Sequence, residues 1–256
     1  MIDVKNVGKR YGNTWVLKKV SFFAHKGEVI GVIGKNGSGK TTLLKIISGI
    51  LKPTEGNIYL NSHLISYIPE KPILIPELTL LENLKYFAKL RNIGDEKIKH
   101  EISFFKLEEH TKKRPNELSK GLKQRLSMAI SLLIEPDIIL LDEPTSGLDV
   151  ESKKIITNKI LDLKKSGKTI LYITHEDEEV ERICDRILIL ENGLMKFLGT
   201  IEEFWKEYER FVYVTFSENK KTKLLRIEDL KDLEEDFIHV RSIGIREFLS
   251  GGIENE

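Results

Sequence analysis

The sequence predicts an α/β protein organised around a largely parallel sheet, and three observations carry that prediction. A glycine-rich turn at residues 34–41 joins the apolar run Val29–Ile33 to a helical pattern that begins at Thr42. A second unbroken apolar run, Ile138–Leu141, ends in two consecutive carboxylates, Asp142 and Glu143. Such runs suit strands covered on both faces, as parallel strands are. Strand and helix patterns then alternate through the second half of the chain, the order expected of a parallel sheet crossed by helices.

Taken in order, residues 2–33 alternate short apolar runs with turn residues such as Gly12-Asn13 and His25-Lys26-Gly27, which predicts a β-rich opening, an N-terminal antiparallel β-subdomain. The helix after the glycine turn runs to about Ile50, and Lys52-Pro53-Thr54-Glu55-Gly56 turns the chain into strands at Asn57–Leu60 and Leu64–Ile68. From Leu78 to about Ile134, residues such as Leu80, Leu84, Phe87 and Ala88, then Ile98, Ile102 and Phe105, recur at helical spacing. They predict an inserted helical subdomain over about residues 70–135. After the 138–142 strand come a helix at Val150–Lys165, a strand at Thr169–Thr174, a helix at Asp177–Ile183 and the hairpin Arg186–Leu190 with Gly193–Leu198. The tail holds two strand-like runs, Phe211–Phe216 and Phe237–Val240, and two short helical patterns, with a loop at 217–222 between the first strand and helix. This predicts a small α+β extension over 206–256.

Composition narrows the class. Lys plus Arg total 41 against 40 Asp plus Glu, so charge gives no reason to expect nucleic acid as the partner. Cys184 is the single cysteine, which excludes an intrachain disulfide and agrees with a reducing cytosol. The N-terminus lacks the apolar core of a signal peptide, and no window reaches the ~20 apolar residues of a membrane helix. The expectation is a soluble chain whose membrane role, if any, comes through a partner.

The chemistry begins at Gly34-Lys35-Asn36-Gly37-Ser38-Gly39-Lys40-Thr41, which fits G-x-x-x-x-G-K-[ST] between a strand and a helix. Glycines let several N–H groups converge on an anion, and the following helix N-terminus, at Thr41 and Thr42, adds partial positive charge. Lys40 would reach the β- and γ-phosphates of a nucleotide and the Thr41 hydroxyl would hold Mg²⁺. At the end of the 138–142 strand, Asp142 can hold the same Mg²⁺ and Glu143 can deprotonate an attacking water. A further helix opens at Leu118-Ser119-Lys120-Gly121-Leu122-Lys123-Gln124-Arg125. Ser119 stands where an N-cap belongs and Gly121 allows close backbone approach, so the start suits either a phosphate or ordinary capping of a core helix. Read alone, His175 is either a phosphate donor at a strand end or a surface histidine beside Glu176, and Tyr11 is an ordinary strand aromatic.

Together these motifs resemble the ATP-binding subunit of an ABC transporter, over about residues 2–205. Residues 34–41 match that family's Walker A, Ile138–Glu143 its Walker B with the catalytic glutamate, 118–125 its signature, Ser146-Gly147-Leu148-Asp149 its D-loop and Thr174-His175 its switch histidine. The resemblance implies a P-loop NTPase core, ATP and Mg²⁺ as ligands, and catalytic roles for Glu143, His175 and Lys40. It implies nucleotide contacts from Tyr11 (stacking on adenine), Gly34, Asn36, Gly37, Ser38, Gly39, Lys40, Thr41, Thr42, Ser119, Gly121 and Asp149, and metal contacts from Thr41, Glu70 and Asp142. It also implies pairing head to tail as a homodimer or with another ATPase subunit, each ATP held by one chain's loop and the other's Ser119 and Gly121. An integral membrane permease would be a separate chain, placing this one at the inner face of the cell membrane.

The sequence departs from the family at three places. Lys120 and Leu122 replace the usual glycine and glutamine, and Glu70 stands where the Q-loop glutamine belongs, Gln124 being the chain's only glutamine. The 57–68 segment is short, which trims the β-subdomain. Glu70, the stretch Pro76–Leu84 and a brief tail resemble exporters with separate membrane subunits. A soluble ATPase acting on ribosomes or DNA, and a module that binds ATP with little hydrolysis, remain as alternatives.

Overall fold

The computed structural model describes residues 1–208, 211–216, 220, 222–232 and 237–249. The chain opens with β1 (Ile2–Tyr11), β2 (Thr14–Ala24) and β3 (Val29–Ile33), followed by α1 (Lys40–Ile47), β4 (Glu55–Leu60) and β5 (Ile65–Ile68). The inserted helical region holds α2 (Leu80–Lys89), α3 (Asp95–Phe104) and α4 (Lys120–Leu132). Then come β6 (Ile138–Asp142), α5 (Val150–Lys165), β7 (Thr169–Ile173), α6 (Asp177–Ile183), β8 (Arg186–Glu191), β9 (Leu194–Gly199) and α7 (Ile201–Glu207). The tail contributes β10 (Phe211–Phe216), β11 (Thr222–Arg226), a 3₁₀ turn at Ile227–Asp232, β12 (Phe237–Ser242) and α8 (Ile245–Leu249).

The central sheet has the order β5-β6-β7-β3-β8-β9, parallel except where β9 returns antiparallel to β8. Its unbroken apolar strands divide their residues by the period of two. Ile139 and Leu141 of β6 and Ile170 and Tyr172 of β7 join one core, against the helical region. Ile138, Leu140, Leu171 and Ile173 join the other, against α1 and the antiparallel sheet β2-β1-β4. Both faces are therefore covered, as the continuous runs predicted, and the strand ends are left to carry function.

In the helical region Thr79 and Glu82 form a capping box that starts α2. Asn83, fully buried, ties down the approach to that helix by donating to the carbonyls of Ile75, Leu78 and Thr79 and accepting from the Ile75 N–H. The tail differs from expectation. A helix was expected after β10, yet residues 222–226 pair with Phe211–Thr215 as β11, giving a three-stranded sheet β11-β10-β12. The buried side chains of Val212, Val214 and Phe216 need a cover, and Leu225, Leu230 and Val240 supply it, so packing overrides the helix propensity of the segment. Of the loop expected at 217–222, residues 217–219 and 221 lie outside the described residues, and its last residue, Thr222, opens β11.

Candidate active site

The sheet register aligns three strand ends. Asp142 of β6 lies opposite Ile173 of β7, which in turn lies opposite Val32 of β3. One step further along each strand, the chain delivers Glu143, Thr174-His175 and Ile33-Gly34 to a common edge. The Glu143 N–H donates to the Ile173 carbonyl at 3.0 Å, which locks the first two together.

Asn36, Gly37, Gly39, Lys40, Thr41 and Thr42 line a cleft of about 240 Å³ here with Glu143 and Val16. Gly39 has φ 105°, and a Cβ there would meet the Leu17 side chain and the Val16 carbonyl, so no other residue fits the turn into α1. Lys40 is buried, and its ammonium donates to the carbonyls of Gly34 at 2.7 Å and Lys35 at 3.2 Å. Burial pushes its pKa below the ordinary value, against the pull of Glu143. The Ser38 hydroxyl is buried in the same loop without a partner among the described residues, as a group would be whose partner is a ligand oxygen.

Asp142 is 4% exposed and its two oxygens accept from different elements: Thr41 Oγ1 at 3.1 Å and Tyr67 Oη at 2.9 Å. One carboxylate beside one hydroxyl, with phosphate oxygens and water completing the shell, is a donor set that suits Mg²⁺. Tyr67 was not foreseen from sequence. Burial and the adjacent Asp142 carboxylate raise its phenol pKa, so it remains a donor. Glu70 follows at the end of β5, exposed, and its charge is felt at the Tyr67 hydroxyl; among the described residues it makes no hydrogen bond or ion pair.

Glu143 has φ 50°, a left-handed conformation uncommon for a glutamate and frequent at functional positions. Its Oε1 meets His175 Nε2 at 2.5 Å, with both side chains about four-fifths covered, and His175 Nδ1 is buried without a partner among the described residues. The loop bearing His175 is held by Glu179. One oxygen of that carboxylate accepts from Tyr172 Oη at 2.5 Å, Thr174 Oγ1 at 2.5 Å and Thr145 Oγ1 at 3.0 Å. A single side chain thus ties β7, the His175 loop and the 145–149 segment together. Glu179 is not singled out in the sequence, where it is the last of four consecutive acidic residues, Glu176-Asp177-Glu178-Glu179.

Ser119, Gly121 and Asp149 form a second patch, and none of them lines the phosphate-loop cleft. Ser119 is the exposed N-cap of α4 and accepts from the Leu122 N–H at 3.2 Å. Gly121 is buried: a Cβ there would collide with Ser152 and Asp149, so this glycine is needed for α4 to lie against the start of α5. Asp149 is the N-cap of α5, accepting from the Ser152 N–H and hydroxyl at 2.8 Å each. The Lys120 ammonium donates to the Ser146 carbonyl at 2.6 Å. Tyr11, half exposed, closes the β1–β2 hairpin opposite Thr14 with the Lys9 ammonium 5.2 Å from its ring centre.

The ABC transporter family profile matches residues 17–146, about half the chain, and that span holds the phosphate loop, the Ser119 helix start, Asp142 and Glu143. An ABC transporter ATP-binding protein of Methanocaldococcus jannaschii, itself uncharacterized, is 36% identical over 247 residues, covering 93% of each chain. The chain is an ABC transporter ATP-binding protein. As an ABC-type ATPase it hydrolyses ATP, and such subunits act with a membrane permease. Its relatives span both directions of transport. A Nod factor export ATP-binding protein of Burkholderia lata is 37% identical over 207 residues, covering 75% of this chain and 68% of that one. A spermidine/putrescine import ATP-binding protein of Thermotoga maritima is 32% identical over 262 residues, covering 96% and 70%. Membership in the ATPase family is therefore broader than the exporter type expected from sequence. Among solved structures, a dimeric, post-hydrolysis ATP-binding cassette bound to ADP and phosphate superposes with a TM-score of 0.73 at 30% identity, covering 78% of this chain and 99% of that one. No helix among the described residues is long and apolar enough to cross a membrane.

Proposed function

We propose that this ABC ATPase clamps ATP between two copies of itself, or itself and a paired ATPase subunit, and that hydrolysis drives export through a separate permease. The observation that carries the hydrolytic part is the Glu143–His175 contact of 2.5 Å at the lip of the phosphate-loop cleft. The loop N–H groups, Ser38 and Lys40 bind the phosphates. Thr41 and Asp142 hold Mg²⁺, which neutralises charge on the β- and γ-phosphates when bound. Glu143 takes the proton of the attacking water, and His175 orients Glu143 through Nε2, the one nitrogen it can turn to the γ-phosphate in exchange for that contact. Tyr67 fixes the Asp142 carboxylate from behind. Glu70, on the same side, orders water around the metal, and Tyr11 stacks on adenine.

The partner chain completes the site. Ser119 stands exposed at a helix start, where a phosphate is favoured, and it lies outside its own chain's cleft. The dimeric cassette among similar structures supports this pairing. The permease docks in the cleft of about 320 Å³ between the end of α1, β5, α2 and α4, where Ile50 and Ile73 are 63% and 73% exposed. On this reading the chain works in the cytoplasm, peripheral on the inner face of the membrane through the permease. The export reading is supported by the Nod factor export relatives and by Glu70 standing where the Q-loop glutamine belongs.

Steady-state ATPase assay tests the chemistry. Turnover that persists in Glu143→Gln would contradict it. For direction, isolating the chain with its native permease and loading inverted vesicles decides: uptake driven by external ATP supports export, and ATP-driven release supports import.

A further inference from the structure

The C-terminal helix reaches the same strand ends from outside the matched family span. Ile245 is buried, and Phe248 packs edge-on against Phe204, Trp205 and Tyr208 with ring centres 5.8–5.9 Å apart. Arg241 grips Glu247 through two bonds of 2.9 Å. Anchored on these sides, α8 presents Arg246 to the loop that carries His175. Its Nη1 donates to the His175 carbonyl at 2.5 Å, and its backbone N–H donates to Asp177 Oδ1 at 3.2 Å. Gly244 lies so close to the Asp177 carboxylate that a Cβ would collide with it. Leu249 lines a cavity of about 260 Å³ with Gly34 and Lys35 of the phosphate loop.

We propose that Arg246 is a positioning residue for ATP hydrolysis: by holding the His175 carbonyl it sets where the imidazole meets Glu143, and so makes the C-terminal extension part of the hydrolytic site. This rests on the reading of His175 and Glu143 given above. The geometry allows little slack. The His175 backbone is fixed by Arg246 at one end and its ring by Glu143 at the other, leaving two side-chain torsions between them. With Arg246 removed, the carbonyl is freed and the imidazole can drift by a fraction of the distance that matters for catalysis.

The test uses the purified 256-residue chain. Arg246→Met is expected to lower kcat about tenfold with KM for ATP changed less than about twofold, and Arg246→Lys, which keeps a charged donor, to recover part of the loss. Single-turnover phosphate release in the His175→Ala background separates positioning from folding: there Arg246→Met is expected to change the rate by less than about twofold. An equal tenfold loss in that background shows an effect through folding and overturns the proposal. So does a slow His175→Ala beside an unimpaired Arg246→Met, which leaves the reading of His175 standing. A His175→Ala chain with full turnover overturns that reading and the proposal with it. If thermal unfolding shows that Arg246→Met does not fold, Arg246→Gln carries the same comparison.

Discussion

At the ends of β3, β6 and β7, groups of one copy bond to one another: Lys40 donates to the Gly34 and Lys35 carbonyls, Thr41 and Tyr67 to Asp142, and Glu143 meets His175, while Ser38 Oγ keeps no partner among the described residues. At the start of α4 the arrangement is different. Ser119 is exposed and bonded only within its own helix start, while Lys120 reaches sideways to Ser146 and Gly121 is sealed beneath Asp149 and Ser152. The first region has the parts of a hydrolytic centre within one chain. The second is an outward-facing helix start that lines no part of its own chain's phosphate-loop cleft, and the proposed pairing would give it another copy's phosphates to bind.

Four changes sharpen that contrast. The largest effect belongs to the first region: Glu143→Gln is expected to lower kcat by about 10²–10⁴, with ATP affinity retained in an equilibrium binding assay. In the second region, Gly121→Ala is expected to act first on stability, because the new methyl meets Ser152 and Asp149; thermal unfolding is expected to show a loss of about 1–3 kcal/mol. Tyr67→Phe removes one donor from Asp142 and is expected to raise the Mg²⁺ concentration for half-maximal turnover several-fold, with little change in Tm. The smallest effect is on pH dependence. The Ser152 N–H and hydroxyl hold the Asp149 carboxyl below the usual range, so its contribution to stability is present above the unfolded pKa, about 3.9, and fades as pH falls through the lower folded value. Acid unfolding of Asp149→Asn is expected to lack that component, and an Asp149 carboxyl that titrates at or above 3.9 by NMR contradicts the sign.

The strand-end region was legible in sequence because its determinants are local. Gly39 is required by one backbone angle and one close approach, and the apolar runs of β3 and β6 announce burial on two faces by composition alone. What sequence did not disclose depends on register and on distant contacts. Tyr67 meets Asp142 because β5 pairs with β6 so that Tyr67 lies opposite Leu140, two residues before the aspartate. Glu179 is one of four acidic residues in a row, and only the fold turns it inward onto three hydroxyls. Arg246 finds His175 across 71 residues of chain. Gly121 was legible as a site of close approach, but the neighbour it admits in this chain is the start of α5. β11 was hidden because its cover over β10 is tertiary.

The claim that joins the two regions is that the phosphate loop of one copy and Ser119 of another enclose the same ATP. Size-exclusion chromatography with light scattering on Glu143→Gln, with and without ATP and Mg²⁺, tests it most directly. A nucleotide-dependent shift from monomer to dimer is expected, abolished when Ser119→Arg is added to the same chain. A protein that binds ATP and stays monomeric, or a dimer indifferent to Ser119→Arg, would contradict it.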